Sequence, residues 1–153
     1  MQRLAIIGGT GLLTMATGQP FADAGLQVLA TDSFEVETPY GSVPMKSFRL
    51  QYESEEKSLV FLQRHHNGGK ASKPPHKINH HANIWALKHA NMDAVLSVCS
   101  VGCIAEDFPP GRVGLADQYI DFTGQTTTFH DDEAEFTSVT LPFDHTMNSM
   151  LEP

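Results

Sequence analysis

Three short segments carry residues that could bind an anion, and each follows a run of apolar residues. The first is the turn Gly8-Gly9-Thr10-Gly11, where the missing Cβ atoms let backbone N–H groups and a hydroxyl approach a ligand. The second is Arg64-His65, since an arginine fork binds phosphate through paired hydrogen bonds and a histidine adds a donor. The third is a loop of small residues that contains Cys99, Ser100 and Gly102. Together they indicate an anion-binding site.

Strands must position these segments. Apolar and β-branched runs between turn signals predict strands at Arg3–Ile7, Gln27–Ala30, Ser47–Tyr52, Leu59–Leu62, Ala94–Val98 and Val113–Ala116. The charged stretch Glu53–Lys57 is interpreted as a turn between two of them. In sheets of α/β proteins, ligands bind at strand ends, which is where all three segments lie.

One helix is predicted over Ile78–Ala90, because Ile78, Ala82, Trp85 and Ala86 recur on one face at helical spacing. This pattern predicts Trp85 in the core and puts Asn83, with His80 and Lys88, largely on other faces. A second helix is expected to begin after the N-cap residue Asp144. The alternation of strands and helices favours an α/β layer architecture, within one domain over residues 1–153.

Composition excludes some classes of function. The chain has 153 residues, 41% of them hydrophobic, and its 10 Lys and Arg residues against 18 Asp and Glu argue against a general grip on nucleic acid. The apolar run at the start is too short for a signal peptide or a membrane span, so a cytoplasmic protein is expected. Cys99 and Cys103 fit neither a CxxC motif nor a disulfide framework, and they are expected to be small buried or half-buried residues.

Other interpretations of these motifs remain open. A dinucleotide site would require GxGxxG, but Thr14 stands where the third glycine belongs, and a plain glycine turn is the simplest alternative. Ser100 could be a nucleophile, although Gly-x-Ser-x-Gly is absent. Five clustered histidines raise the question of a metal site, yet no HExxH pattern accompanies them, so no metal is expected. These five are His65, His66, His76, His80 and His81.

Three separated stretches resemble one family in order and spacing. They are Ala5-Ile6-Ile7-Gly8-Gly9-Thr10-Gly11-Leu12, then Arg64-His65 through Pro74-Pro75-His76-Lys77-Ile78-Asn79-His80-His81-Ala82-Asn83-Ile84-Trp85-Ala86-Leu87-Lys88, then Val101-Gly102 through Pro110-Gly111 to Asp117-Gln118-Tyr119-Ile120-Asp121. The family is that of the purine nucleoside phosphorylases of the methylthioadenosine and methylthioinosine type, and the resemblance covers nearly the whole chain.

The resemblance implies a three-layer α/β phosphorylase fold with a mixed, twisted sheet that lacks the C-terminal part of the family fold. It implies phosphorolysis of 5′-methylthio purine nucleosides, with inorganic phosphate as co-substrate and no metal or organic cofactor. A homo-oligomer, trimeric or hexameric, or a complementary chain would complete the pocket. The implied phosphate-binding residues are Thr10, Arg64, His65, Cys99 and Ser100, and the supporting anion loops contain Gly8, Gly9, Gly11 and Gly102.

The sequence departs from the family pattern at some positions. His66 stands where the family usually has glycine, His80-His81 replaces a tyrosine-led pair, and Cys99 replaces a polar residue. The residues that contact the ribose and the base come from the C-terminal portion of the family fold. A non-catalytic phosphate- or nucleoside-binding remnant, or a partner subunit, is therefore the alternative to an enzyme.

Overall fold

The computed structural model describes residues 3–68, 72–125 and 128–152, and the chain divides into two compact units. The first unit ends at Ser100 and the second begins at Val101. In order, the first unit contains β1 (Arg3–Gly8), a 3₁₀-helix (Thr10–Thr17), α1 (Gln19–Asp23), β2 (Gln27–Val36), β3 (Val43–Tyr52), β4 (Glu55–Gln63), a second 3₁₀-helix (Pro75–Lys77), α2 (His80–His89) and β5 (Ala94–Val98). The prediction of a single domain over residues 1–153 stays a prediction.

The five strands form one mixed sheet in the order β2-β3-β4-β1-β5. β1 runs parallel to both β4 and β5, whereas β3 is antiparallel to β2 and to β4. β1 therefore lies between two parallel neighbours, and its residues Ala5, Ile6 and Ile7 are all buried, as expected for a strand covered on both faces. The mixed sheet predicted from the resemblance is confirmed.

Helices cover both faces of the sheet and give three layers. Successive strand residues point to opposite faces, so the core separates into two clusters. One cluster packs Ala5, Ile7, Val43, Met45, Val60 and Leu62 against Ala82, Ala86 and Leu87 of α2. The other packs Ile6, Phe48, Leu50, Leu59 and Phe61 against Phe21 of α1, with Leu12 and Met15 of the first 3₁₀-helix beside them.

The first 3₁₀-helix and α1 are absent from the sequence prediction. The glycines that precede them indicate a turn, and α1 is only five residues long with Pro20 near its start. Such short helices show too few turns for a periodic pattern. Their apolar side chains nevertheless form one wall of the core.

The strands are longer than predicted, and the interpretation of Glu53–Lys57 as a turn is wrong. Only Glu53 and Ser54 connect β3 to β4, and Glu53 has a φ of 52°. The next charged residues continue as strand because this end of the hairpin is exposed and the Lys57 ammonium pairs with the Glu55 carboxylate. Charged side chains are tolerated where a strand faces water.

α2 agrees with the predicted helix and is shorter at its start. The Asn79 side chain caps it by accepting from the Ala82 backbone N–H at 3.1 Å. Trp85 is half-buried instead of being part of the core, and its ring stacks on His89 with the ring centroids 3.3 Å apart. The sheet-facing side of α2 is already filled by smaller residues, which leaves the indole at its edge.

β5 agrees with its predicted bounds but is only half-buried. In the described part of the chain it pairs with β1 alone, so it lies at an edge of the sheet, and its residues alternate between half-buried and exposed. The prediction of a buried strand here is wrong for that reason.

The second unit has one regular element in its described residues, α3 (His145–Leu151). Asp144 caps it as predicted, because its carboxylate accepts from the Met147 N–H at 2.7 Å. The predicted strand Val113–Ala116 is wrong. Val113 is 92% exposed, and the described residues of this unit contain no other strand to complete a hydrogen-bonded ladder.

Both cysteines are exposed, contrary to the prediction that they are buried or half-buried. Cys99 directly follows the edge strand β5, where one side of the chain faces solvent. Cys103 lies in a loop of the second unit and donates its thiol to the carbonyl of Phe108. Within the described ranges, no helix is long and apolar enough to cross a membrane.

Candidate functional site

Three strands end side by side at one edge of the sheet. The register pairs Gly8, the last residue of β1, with Gln63 at the end of β4 and with Val98 at the end of β5. Because all three strands are parallel, the chain leaves each of them at the same edge. The three segments that the sequence suggested for anion binding therefore begin next to one another.

The glycine turn approaches the other two segments closely. A Cβ on Gly9 would lie 2.9 Å from Nη2 of Arg64, and one on Gly11 would lie 3.2 Å from Oγ of Ser100. Side chains at these two positions would clash with groups of the site or displace them. Glycine at these positions therefore leaves Arg64 and Ser100 in place, and the exposed part of the turn is Thr10 and Gly11.

Arg64 lies at the centre of the cluster. Its backbone N–H donates to the Gly8 carbonyl at 2.9 Å, which fixes the start of its loop. Its Nη1 donates to the Val98 carbonyl at 3.1 Å and to Sγ of Cys99 at 2.9 Å. The backbone of Arg64 is therefore fixed at the end of β1, and its guanidinium is held at the end of β5.

The charge of Arg64 has no carboxylate counter-ion among the residues that the structure describes. In residues 3–68, 72–125 and 128–152, no carboxylate oxygen lies within 4.0 Å of the guanidinium. The side chain is half-buried, so water screens its charge only in part. An oxyanion that accepts from the guanidinium would supply the missing negative charge.

His65 contacts the guanidinium of Arg64 and helps to hold it in place. The His65 ring is buried, and its Nδ1 lies 2.8 Å from the Lys73 carbonyl oxygen, which requires a proton on Nδ1. Nε2 is then an acceptor, and Nε of Arg64 donates to it at 3.4 Å. Both ring nitrogens are engaged inside the protein, so His65 orients the guanidinium here, and its direct contact with phosphate stays a prediction.

Asn83 is a residue of the site that sequence reasoning missed. Its side chain is 1% exposed; its Nδ2 donates to the Arg64 carbonyl at 3.3 Å, and its Oδ1 accepts from Nε2 of His66 at 2.8 Å. The prediction that Asn83 lies away from the buried face of α2 is wrong. Its spacing from Ala86 and Leu87 was the available signal, since residues three and four apart share a helix face.

Two histidines near Arg64 favour the uncharged form. Burial lowers the pKa of His66, and the nearby Lys73 ammonium lowers it further, while the hydrogen bond to Asn83 opposes both effects. Partial burial of the ring lowers the pKa of His80, and the positive charge of the Arg64 guanidinium acts in the same direction. His80 is the first residue of α2, so the electropositive start of this helix also faces the region around Arg64.

The predicted site residues have different outcomes. The structure brings together Gly8, Gly9, Gly11, Arg64, Cys99 and Ser100, with His65 behind them. Thr10 belongs to the same turn and is exposed as the first residue of the 3₁₀-helix. Gly102 belongs to the second unit, and the geometry of the first unit does not test its predicted role.

A metal centre was one of the open interpretations. No group of three His, Cys, Asp or Glu side chains in the described ranges is arranged so that it could hold a metal ion. Of the five clustered histidines, His65 and His66 make hydrogen bonds inside the site, whereas the other three lie on or before α2.

The fold and the cluster define a mixed-sheet α/β protein with an arginine, a glycine turn and a small-residue loop at one sheet edge, and no described carboxylate pairs with that arginine. A family model described as Phosphorylase superfamily matches residues 3–152. The chain belongs to this superfamily.

Curated relatives match most of this chain and less than half of their own length. A probable 6-oxopurine nucleoside phosphorylase from Thermococcus kodakarensis is 43% identical over 136 residues, which cover 87% of this chain and 44% of the relative. An S-methyl-5′-thioadenosine phosphorylase from Hyperthermus butylicus is 38% identical, with 84% and 42% covered. A probable S-methyl-5′-thioinosine phosphorylase from Methanothermobacter thermautotrophicus is 31% identical, with 97% and 48% covered.

A solved structure supports the same fold. It is a mutant of adenosine/methylthioadenosine phosphorylase from Schistosoma mansoni in complex with adenine. The similarity has a TM-score of 0.50 and 26% sequence identity, and it covers 72% of this chain and 33% of that one.

Proposed function

We propose that this chain binds inorganic phosphate at the Arg64 cluster and takes part in phosphorolysis of 5′-methylthio purine nucleosides. The products would be the free base and 5-methylthioribose 1-phosphate, with methylthioadenosine or methylthioinosine as substrate. The observation that carries the proposal is a half-buried arginine at three parallel strand ends beside a glycine turn, with no carboxylate partner among the described residues. The activities for which the relatives are named supply the reaction class.

Each part of the cluster has a role in this proposal. Arg64 and the hydroxyl groups of Thr10 and Ser100 would donate to phosphate oxygens, together with N–H groups of the glycine turn. The thiol of Cys99 lies against Nη1 of Arg64 and would face the same ligand. His65 and Asn83 would keep the Arg64 loop in place. Phosphate bound in this way has lost most of its freedom relative to the sugar.

The reaction needs little covalent chemistry from the protein. A phosphate oxygen forms a bond to the anomeric carbon while the glycosidic bond to the purine breaks, and the purine leaves with the bonding electrons. Charge builds up on the sugar ring as in an oxocarbenium ion, and the negative phosphate stabilises it. A proton or a hydrogen bond to a ring nitrogen of the leaving purine makes its departure easier.

The remaining parts of the proposal concern what surrounds the site. The chain spans less than half the length of the curated relatives named above, so we propose that groups contacting the ribose and the base come from a further copy or from a complementary chain. A trimer or hexamer in the cytoplasm, with phosphate as co-substrate and no metal or organic cofactor, completes the proposal.

The first test is phosphate-dependent release of base by the purified 153-residue chain. Methylthioadenosine, methylthioinosine and inosine are the substrates, and phosphate binding is followed in parallel by calorimetry. Arg64→Ala should weaken phosphate binding by roughly 10- to 100-fold, since hydrogen bonds to charged groups contribute about 1.5–3 kcal/mol. Arg49→Ala is the matched control, because Arg49 is exposed and pairs with Glu56 at 3.4 Å on the β3–β4 hairpin.

The outcomes separate the two candidate functions. Base release that Arg64→Ala abolishes and Arg49→Ala leaves intact would support the enzyme. Phosphate binding without release in any assembly state would support the phosphate- or nucleoside-binding module. A chain that does not bind phosphate at all would contradict both.

A further inference from the structure

A pocket separate from the Arg64 cluster lies in the first unit, on the sheet face that the first 3₁₀-helix covers. It has a volume of about 490 Å³, which is within the range of about 300–1,000 Å³ for small-molecule sites. Its apolar lining residues include Leu13, Ala16 and Phe61. Its polar lining residues are Ser33, Glu35, Lys46, Gln63 and His66.

Gln63 lines this pocket with a polar side chain. It is the last residue of β4 and lies on the same face as Phe61, since strand residues two apart point the same way. Its Nε2 is buried, so the amide nitrogen itself does not reach the pocket.

Lys46 presents a positive charge from the neighbouring strand. Its Nζ donates to the Ala16 carbonyl at 2.8 Å, which holds the side chain against the 3₁₀-helix and leaves two N–H groups for other acceptors. In the part of the chain that the structure describes, no carboxylate oxygen lies within 4.0 Å of it. The ammonium can therefore receive a carboxylate from a ligand.

Glu35 presents a negative charge on the same wall. The β2–β3 register pairs Ser33 with Lys46 and Glu35 with Pro44, so Glu35 and Lys46 are diagonal neighbours on one face. They do not form an ion pair with each other. Burial lowers the pKa of His66, which keeps this lining residue uncharged near pH 7. The pocket thus offers one separated cation and one separated anion.

We propose that this pocket binds a free α-amino acid with an apolar side chain. Its carboxylate would accept from Lys46, its ammonium would donate to Glu35, and its side chain would pack against Leu13 and Ala16. A simple anion would be repelled by Glu35 and a simple cation by Lys46. Only a ligand with both charges and an apolar part satisfies all three features of the wall.

Calorimetry on the 153-residue chain tests this with matched probes. L-Leucine and L-phenylalanine should bind with a Kd on the order of 1 mM or lower. Binding should weaken at least about tenfold for 4-methylpentanoate, which lacks the amine, for 3-methylbutylamine, which lacks the carboxylate, and for glycine, which lacks the side chain. If neither amino acid binds, or if 4-methylpentanoate binds as tightly as L-leucine, the proposal is wrong.

Variants assign the binding to this wall. Lys46→Met and Glu35→Gln should each weaken L-leucine binding about tenfold or more. Lys57→Met and Glu37→Gln are the matched controls and should leave it unchanged, because neither residue lines the pocket. Equal binding by Lys46→Met and Lys57→Met would place the ligand elsewhere and overturn the proposal.

Two further measurements test the proposal if a variant does not fold and separate this pocket from the Arg64 site. If Lys46→Met does not fold, the NMR signal of the Gln63 side-chain amide in the unmodified chain is followed as L-leucine is added. A shift of this signal is expected, and its constancy at saturation would contradict the proposal. Phosphate affinity, measured on the folded Glu35→Gln variant, should stay unchanged, so failure of this pocket and failure of the Arg64 site are distinguishable.

Discussion

The two units of the chain use apolar residues in opposite ways. In the first unit Ala5, Phe48 and Leu62 are fully buried between sheet and helices. In the second unit no residue of 101–125 or 128–152 is buried, and Ile104 and Phe136 are 99% and 93% exposed. Both units contain apolar residues, so composition does not cause the difference. A core requires a regular surface against which apolar side chains can pack, and among the residues described only those of the first unit form one.

The same contrast extends to function. In the first unit, three loops are held at defined positions because parallel strands with a fixed register lie beneath them. In the second unit, the only regular element among the described residues is a helix of seven residues. Precise chemical sites depend on rigid supporting elements, which explains why both candidate sites fall in the first unit.

The largest expected effect comes from comparing two leucine-to-alanine substitutions, one in each unit. Leu62→Ala should lower the free energy of unfolding of the first unit by about 2–5 kcal/mol, because Leu62 is fully buried. Leu141→Ala should change it by less than about 0.5 kcal/mol, because Leu141 is 82% exposed. Urea unfolding followed by circular dichroism measures both. Similar losses in the two variants would show that Leu141 is buried in solution and would remove the contrast.

A smaller effect is expected from a pair of asparagines. Asn83 is buried with two hydrogen bonds, so Asn83→Ala should destabilise the first unit by about 1–3 kcal/mol and also weaken phosphate binding through Arg64. Asn148 is half-buried and donates to the Ala116 carbonyl at 3.1 Å in the second unit. Asn148→Ala should lower stability by about 0.5 kcal/mol or less. Denaturation and phosphate titration of both variants provide the test, and unchanged phosphate affinity in Asn83→Ala would contradict the supporting role.

The smallest effect concerns pH. The folded chain lowers the pKa of His66 below its unfolded value, so between the two values the unfolded state binds more protons. Stability should therefore be complete above about pH 6.5 and should decrease as pH falls below it. Urea midpoints at pH 7.5 and 5.5 measure the decrease. His66→Gln should show a smaller decrease, and an identical one would assign the pH dependence to other groups.

Much of the fold follows from local sequence patterns. β1, α2 and the capped helix α3 were predictable because each has a clear apolar run, periodicity or capping residue. The strand at Val113–Ala116 was predicted by the same kind of pattern and is absent. A local pattern shows that a segment can form a strand, but only a pairing partner makes it one.

The site was predictable only in part. Arg64 and the glycine turn were recognisable because both directly follow apolar strands, and strand ends are the usual positions of ligand sites. Asn83 was missed because a polar residue on a helix is assigned to the solvent side by default. The pocket between Lys46 and Glu35 depends on the register of β2 and β3, which no local pattern specifies.

Gln63, the last residue of β4, and Arg64, the next residue, belong to different candidate sites. Gln63 lines the pocket beside the first 3₁₀-helix, whereas Arg64 donates from its guanidinium to the end of β5. Side chains alternate along a strand, so inserting or deleting one residue anywhere in β4 would exchange the two directions. The arginine would then point towards the pocket and its Lys46 ammonium, and the amide would replace it at the sheet edge. Changes of chain length between Glu55 and Gln63 should therefore be tolerated only in steps of two residues.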